Sequence, residues 1–504
     1  MAQLRDHEPV TLSEFNGLWK RGSKEETPLD HFQDANNIAH GSGDSFGTRP
    51  GIDISQDVAV PLEDVKRIYN YPTMTGNTLI VLTYDGVTGK IYHVANSTTV
   101  YGPLLTITGM EDFAFVPYAG RAYISPFKTF NVGGLNVEKG LQNEFLYVYA
   151  GDGTAARKAA GSPMSGAMTI ANGTAGHTDA GLHIFAFVRE TISGALTAPG
   201  QNKTFTTAAA SSVSFGAVQA TGNPIIAKRH LVATKRITTF NGDLNGYQFF
   251  FVPNATINND TDAFLNNISF YDGDLLDDAS HLIDNYSEIP AGAVLTMYRQ
   301  RLVIATFYTD ISLILVSTAG EPEAISQIDG LLVFPPDGNP VTNCQELRDV
   351  LYAFKRSRTV SFTDNGDAPS SWPLVTVDNA LGTSVHGIAT VLDSGSSSVD
   401  YLIVCTYQGI TLFNGRYINP ELSWKIEEFW KALNRNDFRL IQIINAPIQK
   451  EIYTVLPTRQ LLVCNYSMGM DPKKSRWEPW SFYPGVNTIA IYNIDEIILG
   501  ADLV

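Results

Sequence analysis

Asp400-Tyr401-Leu402-Ile403-Val404-Cys405-Thr406-Tyr407-Gln408-Gly409-Ile410-Thr411-Leu412-Phe413 reads as a strand, a turn at Gln408-Gly409 and a second strand. Its apolar runs are short, bounded by turn residues and rich in β-branched and aromatic side chains, which is strand chemistry and not helix chemistry. The same two-strand unit recurs on either side. Residues 301–306 lead to 311–315, 350–354 to 359–362, and 451–455 to 461–464, with a last run at 496–500. Unit starts lie about 45 to 50 residues apart, the period of four-stranded propeller blades.

Two more units stand nearer the N-terminus, 78–82 with 90–94 across Asp85-Gly86, and 113–116 with 121–124 across Ala119-Gly120. The pattern predicts an all-β fold, a β-propeller of six to seven blades. The last unit stops at Val504, so the N-terminal region is expected to supply its missing strands and close the ring. One helix is predicted over residues 421–433, where Leu422, Ile426, Phe429 and Trp430 share a face.

The period breaks between residues 155 and 290. A Gly-, Ala- and Ser-rich linker at 151–176 precedes a strand at 181–188, a turn and exit at 193–200, and strands at 231–236 and 247–252. This spacing predicts a small β-sandwich of fibronectin type III kind inserted in a surface loop. The expected organisation is an N-terminal arm (1–50), a first propeller part (51–154), the inserted sandwich (155–290) and a second propeller part (291–504).

The chain has 504 residues, 44% of them apolar and only 17% charged, and a net charge of −16. Its 35 Lys and Arg are dispersed, which argues against sequence-specific nucleic-acid binding. No apolar window approaches a membrane-spanning length, and the polar start Met1-Ala2-Gln3-Leu4-Arg5-Asp6-His7-Glu8 is unlike a signal peptide, so synthesis in the cytosol is expected. Cys344, Cys405 and Cys464 lie far apart in apolar runs and read as buried free thiols.

Three short stretches carry a family likeness. They are Glu14-Phe15-Asn16-Gly17-Leu18, then Pro28-Leu29-Asp30-His31-Phe32-Gln33-Asp34-Ala35-Asn36-Asn37-Ile38, then Phe46-Gly47-Thr48-Arg49-Pro50-Gly51. Together they resemble the opening of bacteriophage tail nozzle or tail hub proteins, the packaged-DNA stabilisation proteins of short-tailed phages. The insert after the second unit and Tyr298-Arg299-Gln300-Arg301-Leu302-Val303-Ile304-Ala305 are similar to the same family. The resemblance implies a structural virion protein of the phage tail, assembled in the host bacterial cytoplasm. It implies a homo-hexameric ring below the portal and adaptor, through which genomic DNA passes non-specifically during ejection, and to which fibres, spikes or a plug attach. Fold analogy alone does not establish that role.

Each chemical motif has a plainer reading beside it. Gly43-Asp44-Ser45-Phe46-Gly47 matches a nucleophile elbow, but Thr48-Arg49-Pro50-Gly51 follows where a helix should start. Ser361-Phe362-Thr363-Asp364-Asn365-Gly366 with Trp372 is similar to the Asp-box turn of sialidases, with Phe362 in place of a small hydroxyl residue and Trp372 too late, so an ordinary turn is expected. Asp272-Gly273-Asp274-Leu275-Leu276-Asp277-Asp278 lacks the alternating ligands of a calcium loop. The basic clusters Lys355-Arg356-Ser357-Arg358 and Lys473-Lys474-Ser475-Arg476-Trp477 have the charge to meet an acidic partner or a phosphate backbone, but against the net charge of −16 the default reading is a solvated turn between strands. No catalytic, cofactor or metal residue is assigned and no cofactor is expected. The competing reading is a carbohydrate-binding or glycosidase-type propeller, a receptor-binding tail protein with carboxylates and arginines gathered at its central channel.

Overall fold

The computed structural model describes residues 38–40, 46–48 and 63–501, the last range without 75, 97, 162, 193, 221–225, 262–263, 284–287, 327–329, 334–337, 393–399, 420, 468, 483–484 and 493–495. Antiparallel strands dominate, and the α-helix among the described residues is Glu427–Lys431.

Outside the insert the strands form successive sheets, each running outward from its first strand. Sheet A joins Asp64–Thr73, Gly76–Tyr84, Thr88–Asn96 and Thr99–Thr108. Sheet B starts with Asp112–Tyr118 and Arg121–Val132 and continues through Tyr147–Tyr149 to Arg157–Lys158, while Leu135–Gly140 pairs with the far half of its second strand. Sheet C comprises Gly292–Tyr298, Arg301–Phe307, Leu313–Thr318 and Glu321–Ile325, and sheet D comprises Val341–Leu347, Val350–Lys355, Thr359–Phe362 and Leu374–Asp378. Sheet E has Ile388–Leu392, Asp400–Cys405 and Ile410–Phe413; sheet F has Gln442–Ala446, Glu451–Val455, Leu461–Asn465 and Arg476–Trp480; sheet G has Val486–Tyr492 and Glu496–Ala501.

Alternation along each strand decides how the sheets pack. In Asp400–Cys405, Leu402 and Val404 face sheet D with Leu347 and Phe354, whereas Ile403 and Cys405 face sheet F with Ile443, Ile452 and Leu462. In sheet A, Ile80 and Leu82 pack on Phe113, Ala122 and Ile124 of sheet B, while Leu79 and Val81 pack on Ala490 of sheet G. Every sheet is thus buried on both faces, which is why its middle strands read as unbroken apolar runs. Each fully buried Leu or Ile contributes roughly 1.5–3 kcal/mol. Because sheet G packs on sheet A, the circle of sheets closes on itself as a β-propeller.

The strands expected from the N-terminal region to complete sheet G lie outside the described residues, as does most of the arm 1–50. Within it, Ile38–His40 pairs with Phe46–Thr48 and its backbone lies beside Arg476–Trp480 of sheet F.

The predicted helix is shorter than its periodicity implies. A 3₁₀ turn, Trp424–Ile426, leads into the α-helix Glu427–Lys431. The reason is a local competition: Ser423 Oγ accepts the Ile410 N–H at 2.9 Å and the Ser423 N–H donates to the Ile410 carbonyl at 3.2 Å, so the segment before Trp424 is held against sheet E. Leu422, Ile426 and Trp430 are buried all the same.

The interrupted stretch forms two facing sheets, Thr169–Asn172, Val213–Gly216 and Leu265–Ile268 against Gly200–Thr207, Gly181–Thr191, Ile226–Thr234 and Phe249–Ile257. Phe185, Phe187, Phe215, Leu231 and Val252 fill the space between them. Ile184, Ala186 and Val232, on the other face of the larger sheet, are covered by the segments carrying Phe240, Tyr247 and Leu282. The expected boundary at 155 falls inside sheet B, because Arg157–Lys158 pairs with Tyr147–Val148 and Ala159 and Ala160 join the core between sheets B and C. The two chain crossings are clamped together: the Leu146 N–H donates to Ile289 (2.8 Å) and the Ala291 N–H to Glu144 (2.9 Å). Gly140 lets the chain pass there, since a Cβ would lie 1.8 Å from the Ala291 carbonyl oxygen.

One buried histidine gives the fold a pH dependence. His93 of sheet A lies between the Tyr149 hydroxyl (2.7 Å) and Thr78 Oγ1 (3.0 Å), and burial lowers its pKa from 6.5 to about 4. A histidine with a depressed folded pKa stabilises fully above its unfolded value, and this contribution is lost as pH falls through the folded one. Denaturant midpoints should therefore fall between pH 6.5 and about 4, and His93→Gln should flatten that fall; an unchanged slope in the variant would contradict the assignment.

Candidate functional site

The first strands of sheets A to G stand around a common axis and enclose a cavity of about 480 Å³. Each sheet contributes to its wall: Asn70, Phe115, Leu295, Gln345, Ile388, Ile444 and Ile491. Apart from Tyr69 and His386, apolar and amide side chains make up this half of the channel, and among the described residues none around it carries a carboxylate.

The other mouth is ionic. Arg67 at the start of sheet A donates from Nε to Asp112 Oδ1 (3.1 Å) and from Nη2 to Asp112 Oδ2 (2.5 Å), a bidentate pair with sheet B. His386, just before sheet E, places Nε2 3.0 Å from Asp112 Oδ2. The remaining Arg67 donor reaches Gln442 Oε1 of sheet F at 2.8 Å, and the same oxygen accepts from Thr488 Oγ1 of sheet G at 2.9 Å. Thr488 Oγ1 in turn accepts the Ile68 N–H at 3.2 Å. This network stitches the last sheets to the first.

Burial would raise the Asp112 carboxyl, but Arg67 and His386 outweigh it and hold it well below the usual carboxylate range. Burial, with Arg67 beside it, lowers His386 despite the opposing pull of Asp112. The neutral imidazole therefore donates its Nε2–H to an ionised Asp112 instead of adding a second cation.

Over this mouth lies the hairpin made by the far half of Arg121–Val132 and Leu135–Gly140. Phe127 packs near the His386 ring at 6.0 Å, and Thr129 Oγ1 accepts from Arg439 Nη1 at 3.0 Å. A cleft of about 300 Å³ remains beneath it, with Lys66, Arg67, Lys128, Arg439 and Arg459 on its walls beside Glu111, Asp112 and Glu138. Glu138 is 6% exposed, and burial raises its carboxyl against the pull of its own backbone N–H, Arg356 and Arg439.

The motifs singled out in the sequence lie elsewhere. Gly43, Asp44 and Ser45 fall outside the described residues. Asp364 caps its own turn, accepting the Gly366 N–H at 2.9 Å, and its Oδ2 lies 3.3 Å from Arg301 Nε of sheet C. Trp372 stacks edge-on against Tyr298 at 5.6 Å, so this turn staples sheet D to sheet C. Asp272, Asp274 and Asp278 accept backbone N–H groups of Arg236, Tyr271 and Ser280. Among the described residues no His, Cys, Asp and Glu side chains cluster in a way that could hold a metal ion. The three cysteines are free and buried.

The basic clusters require correction, since neither is simply a solvated turn. Lys355 is 1% exposed with Nζ 3.5 Å from Ser312 Oγ, and Arg356 points toward Glu138 at 3.8 Å. Arg476 and Trp477 are buried, while Lys473 and Lys474 remain exposed. The strands' continuous apolar faces leave cationic residues at their ends turned inward toward the polar seams.

Sequence reasoning missed Arg67, Asp112, His386 and Glu138. They are single residues from separate sheets, with Asp112 and His386 274 positions apart, so no spacing betrays them. The only trace is a charged residue at the start of a first strand, in Lys66-Arg67 and Glu111-Asp112.

No protein-family model matches the chain, and no curated protein matches it in sequence. Among solved structures it is similar to apo AztD from Citrobacter koseri, with 10% identity, TM-score 0.32, and coverage of 88% of this chain and 90% of that one. Hsv2 from Kluyveromyces lactis aligns at 13% identity and TM-score 0.26 over 82% of this chain and 98% of that one. At these scores the likenesses carry no argument about function.

Proposed function

We propose that the chain is a structural subunit of a bacteriophage tail nozzle or hub. In this reading the circle of sheets is a seven-bladed propeller, sheet G being completed from the N-terminal arm, and the insert is a sandwich of fibronectin type III kind. Six copies form a ring around the DNA exit channel, retain the packaged genome and anchor fibres or spikes, below the portal and adaptor.

The observation that carries the reading is the build of the insert. It has its own core, joins the propeller at two adjacent clamped crossings and through Ile226, and adds surface and reach without supplying a strand to the ring after Lys158. The N-terminal resemblance supplies the identity of the assembly. The central channel fits an architectural part, because Arg67 and Asp112 at its mouth are spent on joining sheets A, B, F and G.

Cyclic interfaces close only at a fixed rotation, so a portal template can be needed for assembly. Particle mass together with negative-stain images of the chain, alone and mixed with portal and adaptor proteins, tests the proposal. A ring of about six copies with a central hole is expected; a compact monomer under both conditions would overturn it.

A further inference from the structure

We propose that the hairpin-covered mouth of the channel binds a small organic acid, seating a carboxylate oxygen between Glu138, Ser384 and Arg439. This inference is independent of the tail assembly.

Three buried polar atoms without hydrogen-bond partners belong to these residues: Glu138 Oε1, Ser384 Oγ and Arg439 Nε. All three residues line one small void of about 10 Å³, room for a single oxygen-sized atom. Orphaned polar atoms in a protein interior are costly, at roughly 1–3 kcal/mol each, and three of them around one space mark a place built for a polar guest. The void adjoins the 300 Å³ cleft, with Glu138 and Arg439 forming walls of both.

The sign of the guest follows from its neighbours. Arg356 and Arg439 both line the void, which disfavours a cation there. Arg439 Nε and Ser384 Oγ are donors, and burial pushes the Glu138 carboxyl up beside them. Convergent donors call for an acceptor, and in the adjoining cleft five basic residues outnumber the three acidic ones. Among the five, Lys128 packs over the Phe130 ring at 4.8 Å.

The body of the guest follows from the cleft. Its volume is at the small end for ligand pockets, and Phe127, Val385, Leu456, Pro457 and Val486 give it apolar walls. A ring-sized acid fits that description better than an inorganic anion.

Titration calorimetry on the full chain, with glucuronate and benzoate as probes and glucose, benzyl alcohol and inorganic phosphate as controls, tests the site. At least one acid should saturate while its neutral counterpart and phosphate do not. Arg439→Gln and Ser384→Ala should each weaken binding, the former by about tenfold or more, about 1.4 kcal/mol. Glu138→Gln keeps the volume and places an amide donor there, and should bind at least within about threefold of the parent, with thermal melts confirming that each variant folds. Failure of both acids to saturate, phosphate binding as tightly as the acids, or unchanged affinity in both Arg439→Gln and Ser384→Ala would overturn the proposal.

Discussion

Asp112→Ala should lower the unfolding free energy by about 3–5 kcal/mol, the cost of leaving a buried charge without its partner. The reasoning rests on what remains after the change. Arg67, 5% exposed, would keep Gln442 as its side-chain acceptor, and the bidentate contact at 3.1 and 2.5 Å would be gone. His386 would lose its carboxylate as well. By contrast, the exposed i,i+4 pair Lys431–Glu427 is worth at most a few tenths of a kcal/mol, about 0.3–0.5. Replacing both charges together, as in Arg67→Met with Asp112→Leu, should recover most of the loss, because an apolar pair avoids desolvation altogether. Equilibrium urea unfolding of the two variants decides: a loss under about 1 kcal/mol for Asp112→Ala would mean that the pair behaves like a surface bridge.

The pair also shows where sequence reading stops. Sheets A to G were legible because burial on both faces forces apolar runs such as Leu402-Ile403-Val404-Cys405, and these recur at a blade period whatever the partner strand. The helix at 421–433 was overextended because periodicity sees Leu422, Ile426 and Trp430 but not the Ser423 contacts with Ile410 that keep the preceding turn out of the helix. The ionic mouth was invisible for a topological reason. A propeller brings the starts of its first strands together from across the whole chain, so Arg67, Asp112, His386 and Gln442 meet only after the ring has closed. The motif-like stretches failed in the opposite direction: Asp364 and Asp278 have the chemistry of a site and the job of a turn.

Excising the sandwich should leave a propeller that still folds. The cut must respect sheet B, since Arg157–Lys158 pairs with Tyr147–Val148 and the Ala160 N–H donates to buried Glu323 at 2.9 Å. Residues 162–287 are therefore the segment to replace with a short Gly/Ser linker, keeping Lys158 and Glu288, whose charged groups lie 3.4 Å apart and hold the two crossings together. A loop of that kind closes at little entropic cost because its ends are already adjacent. The main loss from the propeller side is the packing of Ile226, which reaches from the sandwich into the core between sheets B and C; removing a side chain of that size costs about 2–5 kcal/mol. That loss is smaller than what the inter-sheet cores supply, so a cooperative unfolding transition and β-sheet circular dichroism should persist, at a lower midpoint. In the tail reading, docking to neighbouring proteins should be lost at the same time, since the sandwich provides reach and the sheets provide the core. An aggregated chain without β-sheet signal would show instead that the propeller depends on the sandwich to close.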